Sequence, residues 1–365
     1  MSITLQDIAR QVGVTPSTVQ RALAGTAGVS PARREEIRRV AQQMGYRINY
    51  HASSLKRGLL RVAVVLSQIK NDDRYYAYYM WKGIEQASDE FVGQGVELVK
   101  LTTNTAAERS DQCSILERIL NGEYGEIHGV VTRGPGPVGL ENTLQKLRDA
   151  NLPVVLIGSD VANKARICCV KNVDEMQGHL AADLLIHFGA ADTRGKIILC
   201  GDFRGTDQYR NAKGFESQIL QYNRATNIHM YTSDDDGERL QSELTRELLQ
   251  ENAYAIYTCS ARSTVAMCGA VKQSGKAGGI YTIGSDIFSE SIRYMREGVL
   301  KATLHTRPIA MARQALQVLV AYLAQGGLLR EDTIYIDPII IMPGNLDFYS
   351  SACPQREETE EDGVR

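Results

Sequence analysis

No apolar run in the 365 residues approaches the ~18 that a membrane-spanning helix requires. No apolar stretch follows a basic start as in a secretory signal, so the sequence predicts a cytoplasmic protein with no membrane partner. Cysteine is scarce and badly spaced for bridging or metal binding. Cys113, Cys168, Cys169, Cys200, Cys259, Cys268 and Cys353 are odd in number and form no C-x-x-C, and most lie in apolar runs such as "ICCV" and "KIILCG". That pattern reads as reduced, buried thiols. The six histidines are scattered, and neither H-E-x-x-H nor a nucleophile elbow occurs. The expectation is a chain that is not an enzyme and that needs no cofactor or metal.

Two motifs imitate chemistry they lack the parts for. "GPGPVG" at 134–139 satisfies G-x-G-x-x-G, but Pro135 and Pro137 remove two N–H donors that a pyrophosphate would need, and the motif follows the third strand of its series. "TSDDDGERLQSE" at 232–243 resembles a calcium loop, yet its first position is Thr232 and a strand precedes it. An acidic turn capping a helix accounts for it.

What is present is a strong asymmetry of charge. Residues 1–61 hold ten Lys or Arg against three acids, a surplus of seven, which leaves the remainder with a deficit of nine. A basic head on an acidic body points to a nucleic-acid-binding module joined to something else. Within the head, Thr4 with Asp7 forms a capping-box-like start, and Leu5, Ile8, Ala9 and Val12 recur at helical spacing up to Gly13. Thr15 then caps a second helix with Pro16 at its first position, and Val19, Ala22 and Leu23 form its inward face. Two short helices across a tight glycine turn make a helix-turn-helix, whose second helix enters the major groove by its N-terminal end. Pro16, Ser17, Gln20 and Arg21 fall on the outward side at that end. Arg bonds guanine bidentately and Gln adenine, each good pair giving about 1–3 kcal/mol of discrimination, and Ser17 and Thr18 are short enough to reach bases or phosphates. A third helix begins at Ser30-Pro31, with Ile37, Val40, Ala41 and Met44 inward.

The stretches "ITLQDIARQVGVTPSTVQRALAG", "VSPARREEIRRVAQQMGYRIN" and "ASSLKRG" resemble, segment by segment, the DNA-binding region of the LacI family of bacterial regulators. The resemblance implies that Ser17, Gln20 and Arg21 read bases. Pro16 stands where a further reader is usual, so one base fewer is read. Thr4, Thr15, Thr18 and Asn49 complete the expected contacts. "NYHASSLKRG" resembles the family's hinge, in which Ala52 and Leu55 share a face and the leucine wedges between base steps in the minor groove.

From Arg61 the pattern alternates strand and helix in two series, the first running from "RVAVVLS" to "LPVVLIGSD" and the second from "ICCVKN" to "GIYTIGSD". The predicted fold is α/β: a three-helix headpiece (1–48), a hinge helix (49–60), then two doubly wound parallel lobes (61–350). The lobes comprise about 61–160 plus 306–330 and about 161–304 plus 331–350, and residues 351–365 form an acidic, disordered tail. Ligands in such sheets bind beyond the carboxyl ends of strands, so a cleft between the lobes is the expected site. The body resembles the type I periplasmic sugar-binding proteins, through "NVDEMQGHLAADLLI", "RNAKGF", "TIGSD" and "LHTRPIAMARQAL". By that resemblance Asp286 accepts sugar hydroxyls, and a carboxylate there can take two vicinal ones.

The chain departs from the family's pattern at three places. Asn211 stands where an arginine is usual, with Arg210 one earlier; Ser263-Thr264 replaces an Asn-Asp pair; and Thr306, with His305 beside it, replaces a glutamine. Tyr75 and Tyr76 precede a helix and could stack on a flat ligand face. The candidate ligand residues are therefore Tyr75, Tyr76, Arg133, Asp160, Arg210, Asn211, Ser263, Asp286 and Thr306. The reading is a regulator, taken as a repressor, that binds pseudo-palindromic double-stranded operator DNA as a homodimer, a tetramer remaining open. Its effector is read as a carbohydrate. A purine or nucleoside stays open, as does a phosphorylated or carboxylated ligand because Arg133, Arg204 and Arg210 lie near strand ends. Inducer and corepressor logic are both allowed, and a solute-binding protein is the rival the basic head argues against.

Overall fold

The computed structural model describes residues 3–24, 28–44, 59–69, 75–104, 111–134, 137–188, 196–203, 206–232, 236–250, 253–324, 329 and 331–350. The expected hinge residues Asn49, Ala52 and Leu55, together with Arg204, Cys353 and the tail, lie outside the described residues.

The head is built from α1 (Leu5–Val12), α2 (Pro16–Ala24) and α3 (Pro31–Gln43). Each starts where a short polar side chain replaces the missing intrahelical acceptor. The Thr4 hydroxyl accepts from the Asp7 amide at 3.3 Å while the Asp7 carboxylate accepts from the Thr4 amide at 2.9 Å. Thr15 Oγ1 accepts from the Thr18 amide at 3.2 Å, and Ser30 Oγ from the Arg33 amide at 3.4 Å. Gly13 ends α1 at φ 71°, a left-handed conformation that costs glycine nothing. The inward residues close a small core of Ile8, Ala9, Val12, Val19, Ala22, Ile37 and Ala41, with Leu5, Leu23, Val40 and Met44 packed around it.

Two six-stranded sheets form the body. The first has the order β11-β5-β4-β3-β1-β2, with β1 (Leu60–Ser67), β2 (Val96–Thr103), β3 (Gly129–Gly134), β4 (Val154–Gly158), β5 (Cys168–Asn172) and β11 (Thr333–Ile336). Its helices are α4 (Ala77–Glu90), α5 (Gln112–Leu120), α6 (Leu140–Asp149) and α12 (Pro308–Ala324). The second has the order β12-β10-β9-β8-β6-β7, from β6 (Lys196–Gly201), β7 (Asn227–Thr232), β8 (Ala253–Thr258), β9 (Tyr281–Ser285), β10 (Ala302–His305) and β12 (Ile339–Ile341). With it go α7 (Asp174–His187), α8 (Thr206–Tyr222), α9 (Gly237–Gln250), α10 (Ala261–Gln273), α11 (Ser289–Arg296) and α13 (Leu346–Ser350). Central strands are covered on both faces, which is why β1 reads as a continuous apolar run: Val62, Ala63, Val64 and Val65 are all at 0% exposure. β12 runs antiparallel to β10, unlike the parallel pairs around it.

By contact the chain divides into two compact units, Met1–Ile69 with Tyr79–Lys171 and Ile309–Ile334, and Lys70–Tyr78 with Asn172–Pro308 and Tyr335–Arg365. The expected lobes began the second series with "ICCVKN". Instead β5 pairs with β4, Val155 opposite Cys168 and Ile157 opposite Val170, so the run to Lys171 belongs to the first unit. The physical reason is that β4 offers a free parallel edge to the strand that follows it, a pairing that the order of elements alone does not reveal.

In the second unit α7 and α8 touch backbone to backbone. A Cβ on Gly178 would stand 2.0 Å from the Asn211 carbonyl oxygen, and one on Gly214 would stand 2.4 Å from that of Glu175. Only glycine fits at either place, and this approach fixes where Asp174, Arg210 and Asn211 point.

Candidate DNA-reading face and effector site

On α2, Val19 and Ala22 are fully buried and turn the opposite side outward, where Pro16, Ser17, Gln20 and Arg21 are exposed and Thr18 is half-buried. The Arg21 guanidinium lies back along its own helix, Nε donating to the Ser17 carbonyl at 3.3 Å. Thr15 contacts Ser17 Oγ and Thr18 Oγ1, each at 2.9 Å, so the start of the helix is a knot of hydroxyls. Arg33 ties the motif together from α3, donating to the Val12 carbonyl at 2.8 Å and pairing with Glu36. Thr4 is occupied in its capping box, and its two hydrogen bonds hold the Asp7 carboxyl below the usual carboxylate range.

In the second unit, Asp286 stands just past β9 at φ 64° and is 6% exposed. That left-handed turn is held from β10 on both sides: the Asp286 amide donates to the Leu304 carbonyl at 2.9 Å, and Thr303 Oγ1 donates to the Asp286 carbonyl at 2.8 Å. The carboxylate oxygen Oδ1 accepts from the Thr306 amide at 2.8 Å, the Thr306 hydroxyl at 2.7 Å and His305 Nδ1 at 3.2 Å. Asn172, also of this unit, donates to the Thr306 carbonyl at 3.0 Å and to the Ile336 carbonyl at 2.8 Å. Asp286 and Thr306, both named from sequence, are thus brought together, and His305 and Asn172 join them.

Other candidates are committed to packing. Ser263 is fully buried, its hydroxyl paired with Ser260 Oγ at 2.7 Å, and Ser260 caps α10. Thr264 Oγ1 accepts from the Ser285 amide at 2.9 Å and donates to the Ser260 carbonyl at 2.8 Å, fastening β9 to α10. Asn211 is a core residue, accepting from the Tyr257 hydroxyl at 2.7 Å and donating to Gln177 at 3.2 Å. Burial pushes the Tyr257 hydroxyl far above its ordinary range, so it stays a donor. Arg210 pairs with Asp174 at 2.7 Å and with Asp207 at 2.9 Å. Tyr75 packs its ring on Phe288, centroids 4.7 Å apart, and donates to Glu290 at 3.3 Å; Tyr76 is half-buried.

In the first unit Asp160 is also spent: Arg166, with a side chain 2% exposed, donates Nε to Oδ1 at 3.0 Å and Nη2 to Oδ2 at 2.6 Å. This bidentate pair, extended to Asp332 at 3.2 Å, removes Asp160 from the ligand set. Arg133, half-buried at the end of β3, lends its carbonyl to Gln112 Nε2 at 2.8 Å.

Sequence reasoning missed the polar atoms at the carboxyl ends of β1 and β2. Ser67 and Thr103 are partners in register, 2% and 3% exposed, and neither hydroxyl finds a partner among the described residues. Gln112 is 1% exposed; both Nε2 hydrogens go to Thr132 Oγ1 and the Arg133 carbonyl, leaving Oε1 unpaired among the described residues. Buried polar atoms without partners are rare and mark places where water or a ligand completes the bonding. The signal in the sequence was the hydroxyl closing each apolar strand, "VVLS" and "VKLTT".

The described thiols are sealed rather than reactive. Burial pushes Cys168 up to about 11 and Cys169 to about 12, and it raises Cys200, Cys259 and Cys268 further. Among the described residues no helix is long and apolar enough to cross a membrane.

Residues 62–327 match the periplasmic binding protein domain, and residues 4–49 match the bacterial regulatory proteins of the lacI family. The chain belongs to the periplasmic binding protein domain family and carries a lacI-type helix-turn-helix head. It is 33% identical over 112 residues to the HTH-type transcriptional regulator PtxS of Pseudomonas plecoglossicida, covering 30% of this chain and 31% of that one. It is 25% identical over 284 residues to PtxS of Pseudomonas putida, covering 75% and 76%. The matched stretch therefore spans from about a third to three quarters of the length of these two curated relatives, both transcription regulators. In fold, the periplasmic binding protein domain is similar to an ABC transporter solute-binding protein of Burkholderia graminis in complex with D-arabinose. That likeness has a TM-score of 0.70 at 18% identity and covers 80% of this chain and 98% of the other.

Proposed function

We propose that the chain is a ligand-responsive transcription regulator of the cytoplasm, acting as a repressor. As a homodimer it binds pseudo-palindromic duplex DNA, and its operator affinity is set by a sugar-type effector held at the carboxyl ends of the body strands. The observation that carries this reading is the pairing of two features in one chain. An outward α2 face of Ser17, Gln20 and Arg21 stands over a core sealed by Val19 and Ala22, and a buried carboxylate, Asp286, is fixed at a strand end of the periplasmic binding protein domain. The basic surplus of the head supplies the sequence-independent attraction to phosphates, and the α2 side chains supply base discrimination. The transcription regulators similar to this chain and the D-arabinose complex similar in fold support the same division of labour.

The test is selection of binding sites by the full chain from a randomised duplex library. The expected result is an inverted repeat, with binding that weakens steeply as salt rises. Recovery of no enriched motif would remove the DNA-reading half of the proposal.

A further inference from the structure

We infer that His305 and Asp286 form a clamp of two hydrogen-bond acceptors, and that the effector end it receives is a pair of neighbouring hydroxyls on a neutral sugar or polyol rather than a carboxylate or phosphate. The inference rests on the effector reading above and narrows it.

Protons at this site are fixed by its partners. Asp286 Oδ1 faces the Thr306 amide at 2.8 Å, and an amide nitrogen can only donate. The Thr306 hydroxyl at 2.7 Å and His305 Nδ1 at 3.2 Å approach the same oxygen. An oxygen already accepting offers Nδ1 only lone pairs, so Nδ1 carries the ring proton. In the neutral imidazole Nε2 is then bare and accepts.

Two acceptors are left over, Asp286 Oδ2 and His305 Nε2, and no hydrogen bond among the described residues reaches either. Their side chains are 8% and 11% exposed, so little water serves them. An acceptor in such a place is costly unless a donor arrives. Vicinal hydroxyls bring two donors and no charge. A carboxylate or phosphate brings only acceptors and adds its charge to that of Asp286. The arginine of this unit that an anion would otherwise seek, Arg210, is paired with Asp174 and Asp207. The Asp286 turn is held by Leu304 and Thr303, so the pair is positioned before any ligand binds.

The experiment uses the full chain labelled with 15N-histidine at pH about 8, where an unperturbed imidazole is neutral, and reads the ring nitrogens of His305 by long-range correlation. The His305 signals are identified by their loss in His305→Gln. We expect a protonated Nδ1 and a bare Nε2. D-arabinose, D-galactose and myo-inositol are then added, beside D-galactonate and D-galactose 1-phosphate as anionic counterparts. A neutral probe should shift the Nε2 resonance toward that of a hydrogen-bonded acceptor, and His305→Phe should weaken its binding about tenfold or more. The anionic probes should leave Nε2 unmoved. A proton on Nε2 overturns the clamp whatever the ligand turns out to be, and so does an anionic probe that binds there more tightly than its neutral counterpart. The expected tautomer with no response to any probe overturns the effector reading itself, and the clamp's role falls with it.

Discussion

Thr306 grips Asp286 twice, its amide at 2.8 Å and its hydroxyl at 2.7 Å both donating to the same carboxylate oxygen. The amide survives any substitution and the hydroxyl does not. Thr306→Val keeps the shape and loses one hydrogen bond to a charged group, so it should cost about 1.5–3 kcal/mol of stability and weaken effector binding. Thr306→Ser should leave both near the wild type. Urea denaturation with sugar titration of the three proteins checks this; equal behaviour of Val and Ser would show that the hydroxyl does not position the carboxylate.

Asn172 closes the neighbouring strands with one side-chain amide, donating to the Thr306 and Ile336 carbonyls. The side chain is 6% exposed. Asn172→Ala leaves two carbonyls short of a donor and should lower stability by about 1–3 kcal/mol. Asn172→Asp puts a carboxylate against the same carbonyls and should be worse at neutral pH than Ala. Chemical denaturation of both variants reads the difference, and an Asp variant as stable as the wild type would contradict the assigned bonds.

Asp160 and Arg166 predict an acid sensitivity. Burial alone would raise the Asp160 carboxyl, but the Arg166 hydrogen bonds, the Val161 amide and the guanidinium charge outweigh it and hold the group below the ordinary aspartate range. A carboxyl depressed in the folded state stabilises above its unfolded value, and that contribution is lost as pH falls through the folded one. Wild-type stability should therefore drop as pH falls below about 4. Asp160→Asn should start less stable at neutral pH and show a shallower decline over the same window. Thermal melts across pH 3–7 test it, and parallel curves for the two proteins would show that the pair does not carry the effect.

The caps of the head and the alternation of strand and helix were readable because they are local. Thr4 with Asp7, Thr15 with Pro16 and Ser30 with Pro31 act within one turn of chain, and the inward residues of α1 to α3 follow helical spacing. Pairing between strands is not local, so the membership of β5 in the first sheet was invisible from its position after β4. The site divides in the same way. Asp286 and Thr306 could be placed through a motif, whereas Asp160, Arg210, Asn211 and Ser263 looked like ligand groups until their partners were known. Arg210 and Asn211 find theirs across α7 and α8, whose approach depends on Gly178 and Gly214. Ser67, Thr103 and Gln112 carry common residue types, and only their burial without partners sets them apart.

On the DNA side, Arg21 is the side chain best suited to bidentate reading of a guanine. Arg21→Ala should relax the preference at one position of each half-site by about 1–3 kcal/mol while leaving the other positions unchanged. Arg10, on α1 and exposed, serves as the control, since its loss should weaken binding evenly across sequences. Repeating the site selection with both variants gives the answer, and an unaltered motif for Arg21→Ala would take that residue off the reading face.

The measurement that bears most directly on the whole account is the affinity of the full chain for its selected operator, with and without saturating bound sugar, in the wild type and in Asp286→Asn. Coupling between the two sites predicts a change of about 5- to 150-fold in the wild type, and little or none in the variant at the same sugar concentration. An operator affinity that bound sugar leaves unchanged in the wild type would contradict it.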